Sequence, residues 1–465
     1  MKPVFYLLTA IWILFSCSDD QIDKASESLA MKNTHPNILI ILTDDQGYAD
    51  VTSFGATDLQ TPNTDALVND GMRFNNFYAN CPVCSPTRAA LLTGRYHDYV
   101  GVQGVIRTHK EDSWGYLDTA AVLLPEPLNE IGYHTAIIGK WHLGLESPNT
   151  PNERGFQFFH GFLGDMMDDY WTHRRFGNNY MYLNDSLIDP EGHATDLFSK
   201  WSVDYIRQRA DTKQPWMLYL AYNAPHFPVQ PPQEWLERVK QREPQISETR
   251  AQLVAFIEHM DDGIGQVIHA LKESGQYENT LIVFASDNGG HLPSEANNGP
   301  WRDGKQSVYE GGLRVPACAV WKGKIKEGSV SNANLLTMDI FPTVLQAAGA
   351  PWREPIEGKS FLQILTGHAD TIGERPLFFA RREGNMRYRG QTIDAVRMGD
   401  WKLLQNNPFE PQELYNLKED PYETNNLFNQ NRDKVKELNS LLMKHKQIRG
   451  AVPWQPPGIY YEMVE

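Results

Sequence analysis

The chain predicts an α/β fold: a large mixed, mostly parallel sheet flanked by helices, followed by a small C-terminal α+β subdomain with an antiparallel sheet. Three observations carry this expectation. Short apolar runs at Asn37–Thr43, Thr135–Ile138, Trp216–Leu220 and Thr280–Ala285 are hydrophobic at nearly every position, as strands buried on both faces are. Helical patterns lie between them, at Thr64–Met72, Ala89–Thr93, Ala120–Ile131, Phe198–Arg209 and Glu248–Ser274, and such alternation is the mark of a parallel sheet. From about Leu377 the pattern shifts to short alternating segments, at Met386–Tyr388, Asp394–Met398 and Trp401–Leu404, and then to Glu413–Leu417 and a helix near Asp433–Lys446. That order reads as an antiparallel meander closed by one helix.

At the N-terminus Lys2 precedes an apolar run, Val4 to Phe15, that is too short to span a bilayer comfortably and reads as a signal peptide over residues 1–17. Its end, Leu14-Phe15-Ser16-Cys17, resembles a bacterial lipoprotein box, with Cys17 as the lipidated residue and Phe15 an unusual choice. A polar tether over 18–35, a large domain over 36–375 and a C-terminal subdomain over 376–465 complete the division. The expected destination is export and lipid anchoring to the bacterial cell envelope, at the outer membrane, or a periplasmic location; a plain secretory signal is the alternative. At 465 residues the chain is too long for one small core.

Charge and cysteine usage exclude several classes. The net charge is −15 and no Lys/Arg-rich stripe stands out, which argues against nucleic acid as a partner. The 4 cysteines make no disulfide framework in a chain this long. Cys318 reads as a buried strand residue. Cys81-Pro82-Val83-Cys84 has the spacing of a redox or metal pair, but no second cysteine pair completes a zinc site.

The same Cys84 opens Cys84-Ser85-Pro86-Thr87-Arg88, continued by Ala89-Ala90-Leu91-Leu92-Thr93-Gly94-Arg95. Pro86 suits a first helical turn and Gly94 a helix end. Cys84 therefore sits where free backbone N–H groups favour an anion, and Arg88, one turn along, adds a permanent planar cation. Asp44-Asp45 stands directly after the first buried strand, where two adjacent carboxylates suggest a hard metal ion or, more simply, a solvated turn. Asp287-Asn288 repeats the arrangement after another strand and favours the metal. Lys140 and His142, two apart after the strand at Thr135–Ile138, would share one face of an extended segment and reach the anion together. His226, in Ala224-Pro225-His226-Phe227-Pro228, is held by flanking prolines; it either serves the site or packs on Phe227.

These motifs together resemble the type I sulfatases of the alkaline-phosphatase-like superfamily, from about Asn37 to the C-terminus. The resemblance rests on Cys84-x-Pro86-x-Arg88 with its Leu-Thr-Gly-Arg ending, on Gly139-Lys140-x-His142, and on Gly311-Gly312-Leu313-Arg314-Val315-Pro316 after Lys305. It implies that Cys84 is oxidised to formylglycine by a maturation enzyme, and that the hydrated aldehyde is the nucleophile. It implies one calcium held by Asp44, Asp45, Asp287 and Asn288, with the residue at position 84 beside it. Arg88, Lys140 and Lys305 would then neutralise the sulfate, His226 or Lys305 would protonate the leaving oxygen, and His142 would act as base for regenerating the aldehyde. Arg314 reads as structural. Loops of this family shape the substrate pocket, so Trp171, Arg174, Arg175 and His160, with His97, are candidate sugar contacts; an ordinary surface loop with a structural Trp is the alternative. The implied function is exo-acting hydrolysis of sulfate esters on a polysaccharide-derived oligosaccharide. A phosphodiesterase or phosphonate monoester hydrolase of the same superfamily is the nearest rival, and a carbohydrate-binding lipoprotein without catalysis a more distant one.

The resemblance generates a direct test. Mass spectrometry of the tryptic peptide ending at Arg88 is expected to show formylglycine at position 84 in active protein. Fully active material carrying an unmodified thiol there would overturn that expectation.

Overall fold

The computed structural model describes Met1 and residues 35–109, 112–352, 354–383 and 392–455. The signal peptide after Met1, with Cys17, the tether up to residue 34, the segment Met386–Tyr388 and residues 456–465 lie outside the described residues. The described residues from Pro36 onward gather into one compact unit.

The apolar runs become strands. In chain order the large sheet contains β1 (Asn37–Thr43), β2 (Met72–Phe74), β3 (His134–Lys140), β4 (Phe158–Phe162), β5 (Met181–Leu183), β6 (Ser186–Leu187), β7 (Trp216–Ala221), β8 (Thr280–Ser286), β9 (Ala317–Val320) and β10 (Ser329–Ser331). Their spatial order is β10-β2-β9-β8-β1-β7-β3-β4-β5-β6. The centre, β8-β1-β7-β3-β4, is parallel throughout, and antiparallel pairs join it to strands on either side. Because β1 is fully buried along its length, alternate side chains face two different cores. Ile38, Ile40 and Leu42 pack with Leu91, Leu92 and Phe341 on one face. Leu39 and Ile41 pack with Phe198, Phe256 and Ile264 on the other. This is the doubly covered sheet that near-continuous apolar strands require.

Helices on both faces follow from the sequence pattern, with boundaries set by their caps. They include α1 (Pro62–Asp70), α2 (Cys84–Thr93), α3 (Pro125–Glu130), α4 (Ala194–Ala210), α5 (Glu248–Glu273), α6 (Ile340–Ala348) and α7 (Arg432–Arg449). The helix anticipated at Ala120–Ile131 shortens to α3, since Pro125 and Pro127 both lack an N–H and fit only a first turn. Helix α2 begins at Cys84 itself, with Pro86 in its first turn and Gly94 in the left-handed conformation closing it through a bond from its N–H to the Ala90 carbonyl. Every residue of α2 is buried.

Strands β11 (Leu377–Arg382), β12 (Thr392–Met398), β13 (Trp401–Gln405) and β14 (Glu413–Asn416) form the C-terminal antiparallel sheet, in sequence order. α7 covers one face through Leu438 and Leu442, which pack on Val396, Leu403 and Leu414. Strand β11 escaped the sequence reading because a charged residue, Arg381, occupies a buried position in it. Arg381 is 1% exposed and its Nε donates to Glu383 at 2.9 Å. At the chain end Trp454 stacks face to face on Trp114, centroids 4.9 Å apart.

One glycine controls how closely two central strands approach. Gly139, φ 104°, precedes Lys140, and a Cβ there would sit 2.0 Å from the Ala221 carbonyl oxygen of the neighbouring strand. Only glycine lets β3 and β7 close this tightly at their carboxyl ends.

Candidate active site

The register of the parallel strands explains why distant residues meet. Thr43 of β1 pairs with Ser286 of β8, Leu42 with Ala221 of β7, and Ala221 with Gly139 of β3. Each strand therefore delivers its next residues to one edge: Asp44-Asp45, Asp287-Asn288, Lys140, and the turn leading to His226. Ligands bind at such edges in open α/β sheets. The first turn of α2 brings Cys84 and Arg88 to the same place.

The contacts are short and buried. Lys140 Nζ donates to Asp44 Oδ2 at 2.5 Å, and Lys305 Nζ to Asp45 Oδ2 at 2.6 Å. Arg88 grips Asp287 Oδ2 through Nη2 at 2.8 Å and Nε at 3.1 Å, while its Nη2 lies 3.7 Å from Asp44. The Asp45 N–H donates to Asp287 Oδ1 at 3.2 Å, and Asn288 Nδ2 to Asp45 Oδ1 at 2.8 Å. His226 Nε2 stands 3.6 Å from Asp45 Oδ2. Its ring also stacks on Phe227, centroids 4.4 Å apart, so packing on that ring and a place beside Asp45 are compatible. Cis peptide bonds precede Pro225 and Pro228 on either side of it.

His142 departs from the expected geometry. Its φ of 59° places it in the left-handed region, so Lys140 and His142 do not lie on one extended face. The chain turns there instead, and His142 Nε2 meets the Ile106 carbonyl at 2.8 Å while Nδ1 is buried without a partner. The charges of Lys140 and Arg88 still act on it, so the turn keeps it within the cluster.

Burial and charge set the protonation of the site. Burial works against the charged forms of Asp44 and Asp45, yet the surrounding cations, led by Lys140 for Asp44 and Lys305 for Asp45, hold both below the usual carboxylate range. Asp287 is pushed up to about 7, by burial and then by repulsion from Asp44, against the pull of Arg88. Burial and Lys305 lower His226 to about 4, and burial with Lys140 and Arg88 takes His142 well below its ordinary value, so both are neutral near pH 7. Burial and Asp44 raise the Cys84 thiol well above its ordinary range. Thiolate chemistry is not what this environment favours.

The donor set fits a hard divalent cation. Asp44 Oδ1 and Asn288 Oδ1 are buried oxygens with no protein partner, in a cluster already rich in carboxylates. Ligand atoms of Asp44, Asp45, Cys84 and His226 also lie within 4.8 Å of one another. Three carboxylates face three cations, so a divalent ion would leave the pocket net positive, as an anionic substrate requires. A second group, His193, Asp196 and His259, is better explained by packing. His193 accepts the Thr195 N–H at the start of α4 and its other nitrogen meets the Gln230 carbonyl, so neither is free.

The outer candidates separate. Trp171, 49% exposed, and Arg174 and Arg175 lie together on the loop between β4 and β5. Arg174 pairs with Asp189 at 2.7 Å, and Arg175 with Asp165 at 2.9 Å and Asp168 at 2.7 Å. His160 is a correction: it sits in β4 opposite Ile138, its ring stacked on Trp201 of α4 at 3.4 Å between centroids, which is a packing position. His97 is likewise buried and tied to the Val102 carbonyl at 2.7 Å. Arg314 pairs with Glu310 at 2.7 Å, a structural contact. Cys81 is buried and its thiol meets the Ala380 carbonyl at 3.1 Å, away from the role of a partner to Cys84.

Sequence reasoning missed three neighbours. Tyr170 donates its hydroxyl to the carbonyls of Asn223 and His226, at 2.7 and 3.0 Å, and so ties the Trp171 loop to the site. The Ile106 loop holds His142 and donates its N–H to Ser85 Oγ at 3.1 Å. His291 lies against Phe227, centroids 4.9 Å apart with the rings tilted, and feels the charges of Asp45 and Lys305. Only His291, placed shortly after Asp287-Asn288, carried a local signal.

A parallel-sheet edge that buries carboxylates, lysines, an arginine and a cysteine-led helix defines a hydrolase of anionic esters. The comparisons with known proteins agree. Residues 36–350 match the family model described as Sulfatase, and residues 299–448 match one described as N-sulphoglucosamine sulphohydrolase, C-terminal. The chain belongs to the sulfatase family and is a sulfuric ester hydrolase. N-acetylgalactosamine-6-sulfatase of Canis lupus familiaris is 34% identical over 390 residues, covering 79% of this chain and 71% of that protein. Arylsulfatase J of Mus musculus is 30% identical over 425 residues, covering 85% and 69%. The structure of Ps i-CgsB in complex with k-i-k-neocarrahexaose superposes with a TM-score of 0.83 at 31% identity, over 92% of this chain and 96% of that one.

The Arg88–Asp287 pair gives a stability test. Arg88→Met leaves a fully buried carboxylate without its two-pronged partner, at a cost of roughly 3–5 kcal/mol. Thermal unfolding is expected to show a clearly lowered melting temperature; an unchanged one would contradict the pairing.

Proposed function

We propose that this enzyme hydrolyses sulfate esters of a sulfated carbohydrate, using formylglycine formed from Cys84 and one calcium ion. The observation that carries the reading is the pair of unpartnered buried oxygens, Asp44 Oδ1 and Asn288 Oδ1, beside the first turn of α2. Asp44, Asp45, Asp287 and Asn288 would hold the ion, which when bound supplies positive charge against the sulfate oxygens and lowers the pKa of a nearby hydroxyl. A formylglycine at position 84 supplies, as its hydrate, a hydroxyl nucleophile. Arg88, Lys140 and Lys305 orient the sulfate and balance its charge. Lys305, held as a cation beside Asp45, delivers a proton to the leaving oxygen in preference to His226, which is neutral and turns Nδ1 to the Phe227 carbonyl, and His142, neutral with Nδ1 unengaged, accepts one when the site is reset.

The carbohydrate class is supported by the relatives, one named N-acetylgalactosamine-6-sulfatase and another solved in complex with k-i-k-neocarrahexaose. Depth supports action at chain ends: Cys84 is 3% exposed and Asp44 and Lys140 are fully buried, as suits a pocket and not an open groove. Trp171 and the Arg174-Arg175 loop, tied to the site through Tyr170, would supply the sugar contacts. For location, the Leu14-Phe15-Ser16-Cys17 box supports a lipid-anchored, exported enzyme acting on the cell envelope, with a maturation enzyme as its earlier partner. No helix among the described residues is long and apolar enough to cross a membrane.

The test is sulfate release from a panel of defined sulfated oligosaccharides, run beside 4-nitrocatechol sulfate and a phosphodiester analogue. Release from at least one sulfated oligosaccharide is expected, with the terminal sugar desulfated first. Faster turnover of the phosphodiester than of every sulfate ester would overturn the proposal.

A further inference from the structure

Lys305 is carried by a loop whose backbone is strained on both sides of it. Asp303 has φ 63° and Gln306 φ 75°, left-handed conformations that favour glycine and persist elsewhere only when the surroundings enforce them. Two sets of contacts enforce them here. From the large domain, the Gly290 carbonyl after β8 accepts the Lys305 N–H at 3.0 Å and the Pro82 carbonyl before α2 accepts the Gln306 N–H at 2.9 Å. From the C-terminal sheet, Asn406, directly after β13, uses Oδ1 to accept the Val308 N–H at 2.8 Å and the Ser307 hydroxyl at 3.2 Å.

The grip of the C-terminal sheet extends to both ends of the loop. Arg302 donates to the Glu423 carbonyl at 2.7 Å and to the Tyr415 hydroxyl at 3.0 Å. The Glu423 carboxylate accepts the Glu310 N–H at 2.7 Å. Lys402 of β13, fully buried, binds Glu310 at 2.9 Å and Glu423 at 2.8 Å. A strained loop clamped at its start, middle and end by the C-terminal sheet and the segments that follow its strands has little freedom to relax.

We propose that the C-terminal antiparallel sheet is the positioning element for Lys305, and that Asn406 is the positioning residue that acts most directly on it. The groups Asn406 fixes, the Ser307 hydroxyl and the Val308 amide, belong to the two residues just after left-handed Gln306. Without that acceptor, Gln306 relaxes toward ordinary φ values, and the lysine whose Nζ now lies 2.6 Å from Asp45 swings off the site. Asn406 is half-buried and uncharged, whereas Lys402 belongs to a buried ion cluster whose loss would unfold its surroundings. Asn406 therefore separates positioning from folding. This inference rests on the proposed role of Lys305 in the reaction.

The experiment is a double-mutant cycle with a rescue, read on sulfate release from 4-nitrocatechol sulfate and from 6-sulfated N-acetylgalactosamine. Asn406→Ala is expected to lower kcat about tenfold while KM stays within about twofold, because the misplaced group matters most in the transition state. Asn406→Asp, which keeps the acceptor oxygen, is expected to recover most of the loss. In a Lys305→Met background, Asn406→Ala is expected to change kcat by less than about twofold, since the group it positions is gone. Full multiplication of the two effects, an Asn406→Ala variant with wild-type kcat, or an Asp variant as impaired as the Ala variant would overturn the brace. Wild-type turnover by Lys305→Met would instead overturn the role of Lys305, and the brace with it. Melting temperatures of all variants distinguish these results from simple unfolding.

Discussion

Everything in this molecule depends on burying three carboxylates against three cations at one edge of a parallel sheet. Asp44, Asp45 and Asp287 are each within 2% of fully buried, and none of them would tolerate that without Lys140, Lys305 and Arg88. The strands are what make the arrangement possible. Parallel pairing places the carboxyl ends of β8, β1, β7 and β3 side by side, so each contributes residues without any long loop. Gly139 permits the close approach of β3 to β7 that sets Lys140 beside Asp44.

The same balance explains why the site suits an ester of sulfate. Cations and carboxylates nearly cancel before an ion binds, so a divalent metal held there would tip the buried pocket positive. In such a place each donor is worth more than it would be in water. The whole protein carries −15, so attraction of an anionic substrate is a local property of this edge and not of the surface at large.

The sequence made much of this legible because the signals were local. A buried strand followed by Asp-Asp or Asp-Asn, and a cysteine two residues before proline at a helix start, each placed a side chain on a known edge. Where a signal depended on tertiary contacts, the reading failed. His142 needed its left-handed turn, which nothing in Gly139-Lys140-Trp141-His142 announces. His160 looked like a ring near the pocket and proved to be stacked under α4 on Trp201. Strand β11 was hidden by Arg381, whose burial is made possible by Glu383 in the same segment. Tyr170 was invisible for the same reason: its role lies in two carbonyls more than fifty positions away, at Asn223 and His226. The C-terminal sheet was legible as a sheet but not as a brace, since Asn406 acts through Val308 and Ser307.

The central claim is that the Asp44–Asn288 edge is a divalent-cation site on which the anion pocket is built. Elemental analysis of purified protein after exhaustive dialysis measures it most directly, comparing wild type with Asp44→Asn. The account predicts about one calcium per chain in the wild type and a large loss in the variant, since Asp44 supplies a charged oxygen ligand. Equal calcium occupancy in the two proteins would contradict it.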